Sequence, residues 1–222
     1  MSSNYAVVIT GGGSSTRYGA GNKLLESLAG IPVFIHSVKK LSGFSEKSNF
    51  ILTVNSSDRA RFEEELEKHS LADKITVVTG GASRVESVRN AIEVIALKSG
   101  KIAIHDAARP LVEAQLLEQL FRDPRKNVIA AQKVVDSMKK CDENGRIIDA
   151  VDRTSLWRAE TPQVFDIEEF RSAMAIAPAD ATDDAEIMRH AGFDVYVVRE
   201  EKENLKLTTA SDLAKLEKFV KP

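Results

Sequence analysis

The sequence predicts an α/β fold in which a mostly parallel sheet carries helices on both faces. Residues 5–10 form a continuous apolar run that stops at three glycines, which is typical of a strand buried on both faces. Similar runs recur along the chain and alternate with amphipathic segments of helical period. Residues 137–152 interrupt this alternation, because they are polar and too poor in apolar side chains to be buried on both faces.

Strands and helices are predicted in regular alternation. We predict strands at residues 5–10, 49–54, 75–79, 102–105, 128–135, 195–198 and 205–207. We predict helices at residues 33–41, 58–69, 83–95, 111–121, 167–175 and 183–191, and a last helix capped by Thr209. No linker or repeat divides these elements, so residues 1–222 are expected to form a single domain.

Residues 137–152 are expected to form a β-hairpin arm. Asn144-Gly145 is a strong signal for a two-residue turn, and it lies between Met138-Lys139-Lys140 and Ile147-Ile148. Because the segment is polar, we expect the arm to project from the body of the domain.

Composition and charge exclude several classes of function. The formal net charge of −2 leaves no broad positive surface for DNA or RNA. The single cysteine, Cys141, excludes an internal disulfide and favours a reducing compartment. No apolar run approaches the ~20 residues that span a bilayer, so we expect a cytoplasmic protein. The four histidines lack metal-ligand spacing, and we expect neither a zinc nor an iron site.

The loops after the strands are the candidate site, because ligands of open α/β sheets bind outside the carboxyl ends of the strands. Glycines in the first loop would let backbone amides approach a phosphate closely. This loop carries Gly11, Gly12 and Gly13, followed by the cations Arg17 and Lys23. We interpret it as a phosphate-binding loop; the alternative is a flexible turn with solvated charges.

Two common phosphate-binding motifs do not fit this loop. A Walker A loop has lysine directly after glycine, whereas Lys23 follows Asn22. The dinucleotide fingerprint has a third glycine where Thr16 stands, with a helix directly after it. A Rossmann dehydrogenase is therefore disfavoured.

Two further loops carry polar residues at the same predicted edge. Gly80-Gly81-Ala82-Ser83-Arg84 leads into a helix that Ser83 and Glu86 can cap, and this suits a nucleotide, although a plain connection is the alternative. In His105-Asp106-Ala107-Ala108-Arg109-Pro110, an acid and a base three residues apart indicate a metal ligand beside a phosphate clamp. The alternative there is a local ion pair that shapes the turn.

These segments, taken in order with Val151-Asp152-Arg153 and Thr161-Pro162-Gln163, resemble the 2-C-methyl-D-erythritol 4-phosphate cytidylyltransferases. The resemblance covers nearly the whole chain. It implies a Rossmann-like nucleotidyltransferase fold with a β-hairpin arm that clasps a second subunit, hence a homodimer. It also implies transfer of CMP from CTP to 2-C-methyl-D-erythritol 4-phosphate with Mg²⁺, releasing pyrophosphate, in non-mevalonate isoprenoid precursor synthesis.

The same resemblance assigns roles to individual residues. The catalytic residues would be Arg17 and Lys23. The nucleotide would be bound by Gly11, Gly12, Gly13, Gly81, Arg84 and Ser87. The acceptor would be bound by Asp106 (also the metal ligand), Arg109, Ser137, Arg153, Thr161, Thr182 and Lys206, with Ser137 and Arg153 reaching into the partner subunit's site.

The first loop departs from the family pattern. Ser15 replaces a glycine, no proline precedes Lys23, and the Arg17–Lys23 interval is one residue shorter than usual. Two rival functions therefore remain: a ribitol 5-phosphate cytidylyltransferase, and a CTP-binding regulator with impaired catalysis. The pair Ala107-Ala108 within its motif favours the erythritol substrate.

Overall fold

The computed structural model describes residues 4–12 and 21–220. Along the chain the elements are β1 (Tyr5–Gly11), β2 (Ser27–Leu28), β3 (Ile31–Pro32), α1 (Val33–Leu41), β4 (Phe50–Val54), α2 (Arg59–Lys68), β5 (Thr76–Thr79), α3 (Arg84–Val94), β6 (Lys101–Asp106), α4 (Ala114–Arg122), β7 (Val128–Lys133), β8 (Met138–Cys141), β9 (Ile147–Val151), β10 (Trp157–Asp166), α5 (Ile167–Ala175), α6 (Asp184–His190), β11 (Tyr196–Arg199) and α7 (Ala210–Leu216).

Seven of these strands form the central sheet, in the order β11-β7-β10-β6-β1-β4-β5. The pairs of β1 with β4 and β6, of β4 with β5 and of β7 with β11 are parallel. β10 runs antiparallel to both of its neighbours, β6 and β7. The carboxyl ends of β1, β4, β5 and β6 therefore lie along one edge of the sheet.

Helices cover both faces of this sheet because its central strands are apolar on both sides. In β1, Val7 and Ile9 face the core beneath α1, α2, α4 and α7, whereas Ala6 and Val8 face the core beneath α3, α5 and α6. All four side chains are fully buried. The predicted α/β class, with a mostly parallel sheet and helices on both faces, is confirmed.

β10 was missed by the sequence patterns. Its sequence contains Glu160, Thr161 and Pro162, and proline within a run normally argues against a strand. The structure accommodates these residues with a register shift between Ala159 and Gln163 and a cis Thr161–Pro162 peptide bond. The strand continues on either side of this irregularity.

The strand predicted at residues 205–207 is wrong. Leu207 is fully buried and Leu205 is partly buried against the same core. The alternation of apolar and polar residues at 205–207 therefore reflects the burial of the two leucines. The backbone, however, forms no strand there; the Leu207 amide donates to the Ala108 carbonyl oxygen at 2.8 Å.

β8 and β9 pair antiparallel in a small sheet of their own, and all their residues are exposed. The predicted two-residue turn is replaced by a longer one. The Gly145 amide donates to the Asp142 carbonyl oxygen, and the Asp142 carboxylate accepts from the amides of Asn144 and Arg146. The Asp142 side chain thus fixes the turn, and Gly145 takes the left-handed conformation (φ 80°).

Candidate active site

Residues from three predicted loops lie together at the carboxyl edge of the sheet. Gly11 and Gly12 close β1, Gly80 and Gly81 follow β5, and Asp106 closes β6. Gly13 and Arg17, which the sequence assigns to the phosphate loop, lie outside the described residues.

Ser87 connects two of these loops. Its hydroxyl accepts a hydrogen bond from the Gly81 amide (3.1 Å) and donates to the Ser83 carbonyl oxygen (2.8 Å). A Cβ atom at Gly80 would lie 2.7 Å from Ser87 Oγ, and one at Gly12 would lie 3.1 Å from it. The loop at Gly80 therefore approaches Ser87 more closely than a residue with a side chain allows, and at Gly12 a side chain would be a tight fit.

The N-terminus of α3 is capped largely as predicted. Ser83 Oγ accepts from the Glu86 amide at 3.1 Å. The Glu86 carboxylate turns back to the amide of Ala82, at 2.7 Å, one residue earlier than a standard capping box would place it. This folds the Gly81-Ala82 backbone tightly over the first turn of α3.

A side chain at Gly81 would break this arrangement. A Cβ atom there would lie 2.2 Å from Glu86 Cβ, so we expect Gly81→Ala to cost about 1–3 kcal/mol of unfolding free energy and to weaken CTP binding. Urea denaturation and titration calorimetry would measure both effects. Gly43→Ala is the matched control, because nothing lies within 4 Å of its Cβ position. Equal stability and affinity of the two variants would contradict the prediction.

Lys23 is held by its neighbour. Asn22 is buried, its Oδ1 accepts from the Leu24 amide (3.0 Å), and its Nδ2 donates to Asp58 Oδ2 (2.9 Å). Asn22 thereby caps the short 3-10 helix Lys23–Leu25 and ties it to the start of α2. The residue that departs from the family pattern, Asn22 in place of proline, is the one that anchors Lys23.

Asp106 is the anionic centre of a cationic cluster. Lys206 Nζ lies 2.6 Å from Asp106 Oδ2, and Arg109 Nε lies 3.8 Å from it. Arg84 Nη2 lies 3.7 Å from Oδ1, the oxygen that also accepts from Thr10 Oγ1 at 3.3 Å. Burial would raise the pKa of Asp106, but Lys206 and Arg84 outweigh burial and hold that pKa well below its usual range. The carboxylate is therefore ionised throughout the neutral range.

Thr161 supports Asp106 from within the protein. Its hydroxyl accepts from the Asp106 amide (3.0 Å) and lies 3.1 Å from Nδ1 of the fully buried His105. His105 Nε2 lies 3.2 Å from the Arg109 carbonyl oxygen, which fits a neutral ring that donates from Nε2 and accepts at Nδ1. Burial lowers the pKa of His105 to about 4. A direct contact of Thr161 with the acceptor stays a prediction.

Arg109 and Lys206 differ in accessibility. Arg109 Nη1 donates to the Asn204 carbonyl oxygen (2.7 Å) and lies 3.9 Å from Oε1 of the buried Glu160. The Arg109 side chain is 12% exposed. The Lys206 side chain is 42% exposed. Of the two cations, Lys206 is therefore the one more open to an incoming anion.

Several residues of this cluster were not singled out from the sequence: Thr10, Glu160, Asp184 and Asn204. Asn204 joins β10 to the loop after β6, since its Nδ2 donates to the Thr161 carbonyl oxygen (2.8 Å) while its backbone carbonyl oxygen accepts from Arg109 Nη1. Asp184 Oδ2 lies 2.6 Å from Arg84 Nη2. In sequence, a doubled acid such as Asp183-Asp184 indicates only a helix start, and Asp183 does cap α6.

The other predicted acceptor residues lie at the periphery. Thr182 is exposed, and both its amide and its hydroxyl donate to Glu186 Oε2 at 2.8 Å. Ser137 and Arg153 are exposed at the base of the arm, where the Arg153 guanidinium donates to the Val135 carbonyl oxygen. Among the described residues, neither Ser137 nor Arg153 forms a hydrogen bond with the Asp106 cluster.

The part of the chain that the structure describes contains neither a cluster of metal-binding side chains nor a membrane-spanning helix. Within residues 4–12 and 21–220, no three His, Cys, Asp or Glu side chains are grouped so that they could hold a metal ion. No helix in that same part of the chain has the length and apolar character to cross a membrane.

Comparison with known proteins identifies the family. The sequence model described as IspD, 2-C-methyl-D-erythritol 4-phosphate cytidylyltransferase, matches residues 5–221. Proteins of that name from Bacillus licheniformis and Cereibacter sphaeroides are 35% and 36% identical; the alignments cover 95% and 97% of this chain and 93% and 96% of theirs.

A solved structure agrees with the sequence comparisons. The 2-C-methyl-D-erythritol 4-phosphate cytidylyltransferase of Francisella tularensis superposes with a TM-score of 0.80 at 26% identity, covering 98% of this chain and 100% of that one. The predicted family and the nucleotidyltransferase class are both confirmed. The chain belongs to the 2-C-methyl-D-erythritol 4-phosphate cytidylyltransferase family.

Proposed function

We propose that this chain transfers CMP from CTP to 2-C-methyl-D-erythritol 4-phosphate and releases pyrophosphate, as a cytoplasmic enzyme of isoprenoid precursor synthesis. Family membership over residues 5–221 supports the reaction. The observation that carries it in the structure is the Asp106 cluster, in which Arg84, Arg109 and Lys206 surround one carboxylate beside the glycine loops.

The acceptor supplies its own nucleophile. A phosphate monoester is largely dianionic near pH 7, because its second pKa is about 6, so attack on the α-phosphorus of CTP requires no general base. Catalysis then rests on alignment and on stabilisation of charge. Lys206, as the more exposed cation, would meet the acceptor phosphate, and Arg109 would hold it from the more buried side.

The nucleotide would lie across the glycine loops. Gly11, Gly12 and Gly81 would present backbone to it, while Ser87 and Arg84 fix the shape of that surface. Lys23, with Arg17, would neutralise the charge that grows on the α-phosphoryl group and on the departing pyrophosphate. These roles rest on the resemblance and on the anchored position of Lys23 next to Asn22.

Asp106 is the residue that would hold Mg²⁺. Its Oδ2 is bound by Lys206, whereas the contacts of its Oδ1 with described residues are the longer ones to Thr10 and Arg84. One carboxylate oxygen fits a cation that takes its other ligands from substrate phosphates and water. When bound, Mg²⁺ would supply neutralisation of the triphosphate charge.

The arm would complete the site in a homodimer. We propose that residues 1–222 act as one domain and that residues 137–152 exchange between two subunits. The arm exposes the apolar side chains of Met138, Ile147, Ile148 and Val151, and Val135 is exposed just before it; a second subunit would cover them. The partner subunit's Ser137 and Arg153 would then reach the acceptor side of the site.

Pyrophosphate release tests the reaction. The protein is expected to release pyrophosphate only when CTP, a divalent metal and 2-C-methyl-D-erythritol 4-phosphate are all present, and to use CTP far better than ATP. Ribitol 5-phosphate in place of the erythritol substrate tests the rival acceptor. Tight CTP binding without turnover on either polyol phosphate would instead indicate the regulator, and the proposed reaction would be wrong.

A further inference from the structure

Asp184 is a buried acid to which the proposed reaction gives no role. It is the first residue of α6, it is fully buried, and its Oδ2 lies 2.6 Å from Arg84 Nη2. Burial raises the pKa of Asp184, and Arg84 opposes that shift. In the part of the chain that the structure describes, Arg84 is the cation that pairs with Asp184. Apolar residues of similar size are often at least as stable as such a buried ion pair, so stability alone does not explain it.

Arg84 lies between two acids at unequal distances. It begins α3, and its Nη2 lies 2.6 Å from Asp184 but 3.7 Å from Asp106. The first distance is that of a close ion pair, and no other described residue donates a hydrogen bond to either carboxylate oxygen of Asp184. The second distance is too long for a hydrogen bond. The guanidinium is therefore held on the side of α6, and within residues 4–12 and 21–220 Asp106 Oδ1 has no cation nearer than Arg84 at 3.7 Å.

Removal of the charge at Asp184 would change which acid Arg84 pairs with. Arg84 would keep its positive charge in a largely buried position, and Asp106 would be its nearest remaining acid. Because a buried cation requires a partner, the guanidinium would move toward Asp106 and away from the loop that Gly81 and Ser87 shape. The adjacent acid, Asp183, cannot substitute, since its carboxylate binds the Glu186 amide (2.9 Å) and Gln163 Nε2 (3.0 Å).

We propose that Asp184 is a positioning residue that holds Arg84 at the nucleotide side of the site and keeps it from closing on Asp106. The proposal rests on the proposed function, in which Arg84 lines the nucleotide. The start of α6 would thus control the shape of the nucleotide site, although it lies more than a hundred residues along the chain from the glycine loops.

The isosteric change Asp184→Asn is the first test. Titration calorimetry with CTP in the absence of acceptor is expected to give a Kd about 10- to 100-fold higher, the range of one charge-assisted hydrogen bond. Asp183→Asn is the matched control: it removes the same charge one residue away and weakens the start of α6, but it leaves the Arg84 pair intact. Its Tm is expected to fall while its Kd for CTP stays unchanged.

A second pair of variants separates positioning from stability. Asp184→Glu keeps the charge and the fold but displaces the guanidinium, so CTP affinity is expected to fall with little change in Tm; this holds even if Asp184→Asn does not fold. In Arg84→Met, addition of Asp184→Asn is expected to raise the Tm, because no buried charge stays unpaired, without weakening CTP binding further.

The outcomes distinguish this inference from the proposed function. If the wild-type protein does not bind CTP, the proposed function is wrong. If it binds CTP but Asp184→Asn and Asp184→Glu both bind it equally well, or if Asp183→Asn loses as much affinity as they do, Asp184 does not position Arg84 and the inference is overturned.

Discussion

Lys23→Ala is expected to lower turnover by about 10²–10³-fold while changing CTP affinity much less. In the proposed reaction, the positive charge would meet an α-phosphoryl group whose negative charge grows toward the transition state, so its loss would affect kcat more than ground-state binding. The anchored backbone at Asn22 supports this expectation, because it fixes where the long Lys23 side chain starts.

Steady-state kinetics and CTP titration together measure this split. Lys39→Ala is the matched control, since Lys39 is an exposed lysine at the end of α1 and its removal should change neither quantity. A loss that appears wholly as weaker CTP binding, with turnover intact, would reassign Lys23 to ground-state binding.

A mixture of two inactive variants is expected to regain about a quarter of the wild-type activity. Lys23→Ala and Arg153→Ala homodimers should each be nearly inactive. In a mixed dimer, the site on the Arg153→Ala subunit keeps its own Lys23 and receives an intact Arg153 from its partner. The other site lacks both. With equal amounts and random exchange, about one site in four is complete.

Pyrophosphate release after verified subunit exchange measures the recovery. Arg122→Ala serves as the control, because Arg122 is an exposed arginine on α4, outside the arm, and this variant should be fully active alone. If Arg153 serves its own subunit, every site carries at least one lesion and mixing restores nothing. That result would remove the role of the arm in the neighbouring site.

Sequence patterns predicted those parts of the fold that depend on local order. The apolar run of β1, the capping pair Ser83 and Glu86 and the polar arm are all short-range signals, and the structure contains each of them. β10 was not predicted, because Pro162 and its polar neighbours do not fit the sequence pattern of a strand. The strand is stabilised by its pairing with β6 and β7. The position of Asp106 at the end of a predicted strand likewise identified it as a candidate site residue.

The supporting residues of the site could not be predicted in the same way. Arg84 and Asp184 are paired only because α3 and α6 pack on one face of the sheet, and no periodicity or spacing encodes that contact. The same holds for Asn204, which joins Arg109 to Thr161 from a loop with no regular structure. Such partners are set by tertiary packing and are visible only in the fold.

The contacts of Asp106 also determine when the site can form during synthesis. Its hydroxyl partners are Thr10 and Thr161, 96 and 55 positions away, and its lysine partner, Lys206, is 100 positions later in the chain. Contacts at such separations form late, because they require closure of long loops. A nascent chain that ends before Lys206 can already pair β1 with β4 and β6, yet it lacks the cation that lies closest to Asp106 among the described residues. If Lys206 meets the acceptor as proposed, acceptor binding requires synthesis of the chain beyond Lys206.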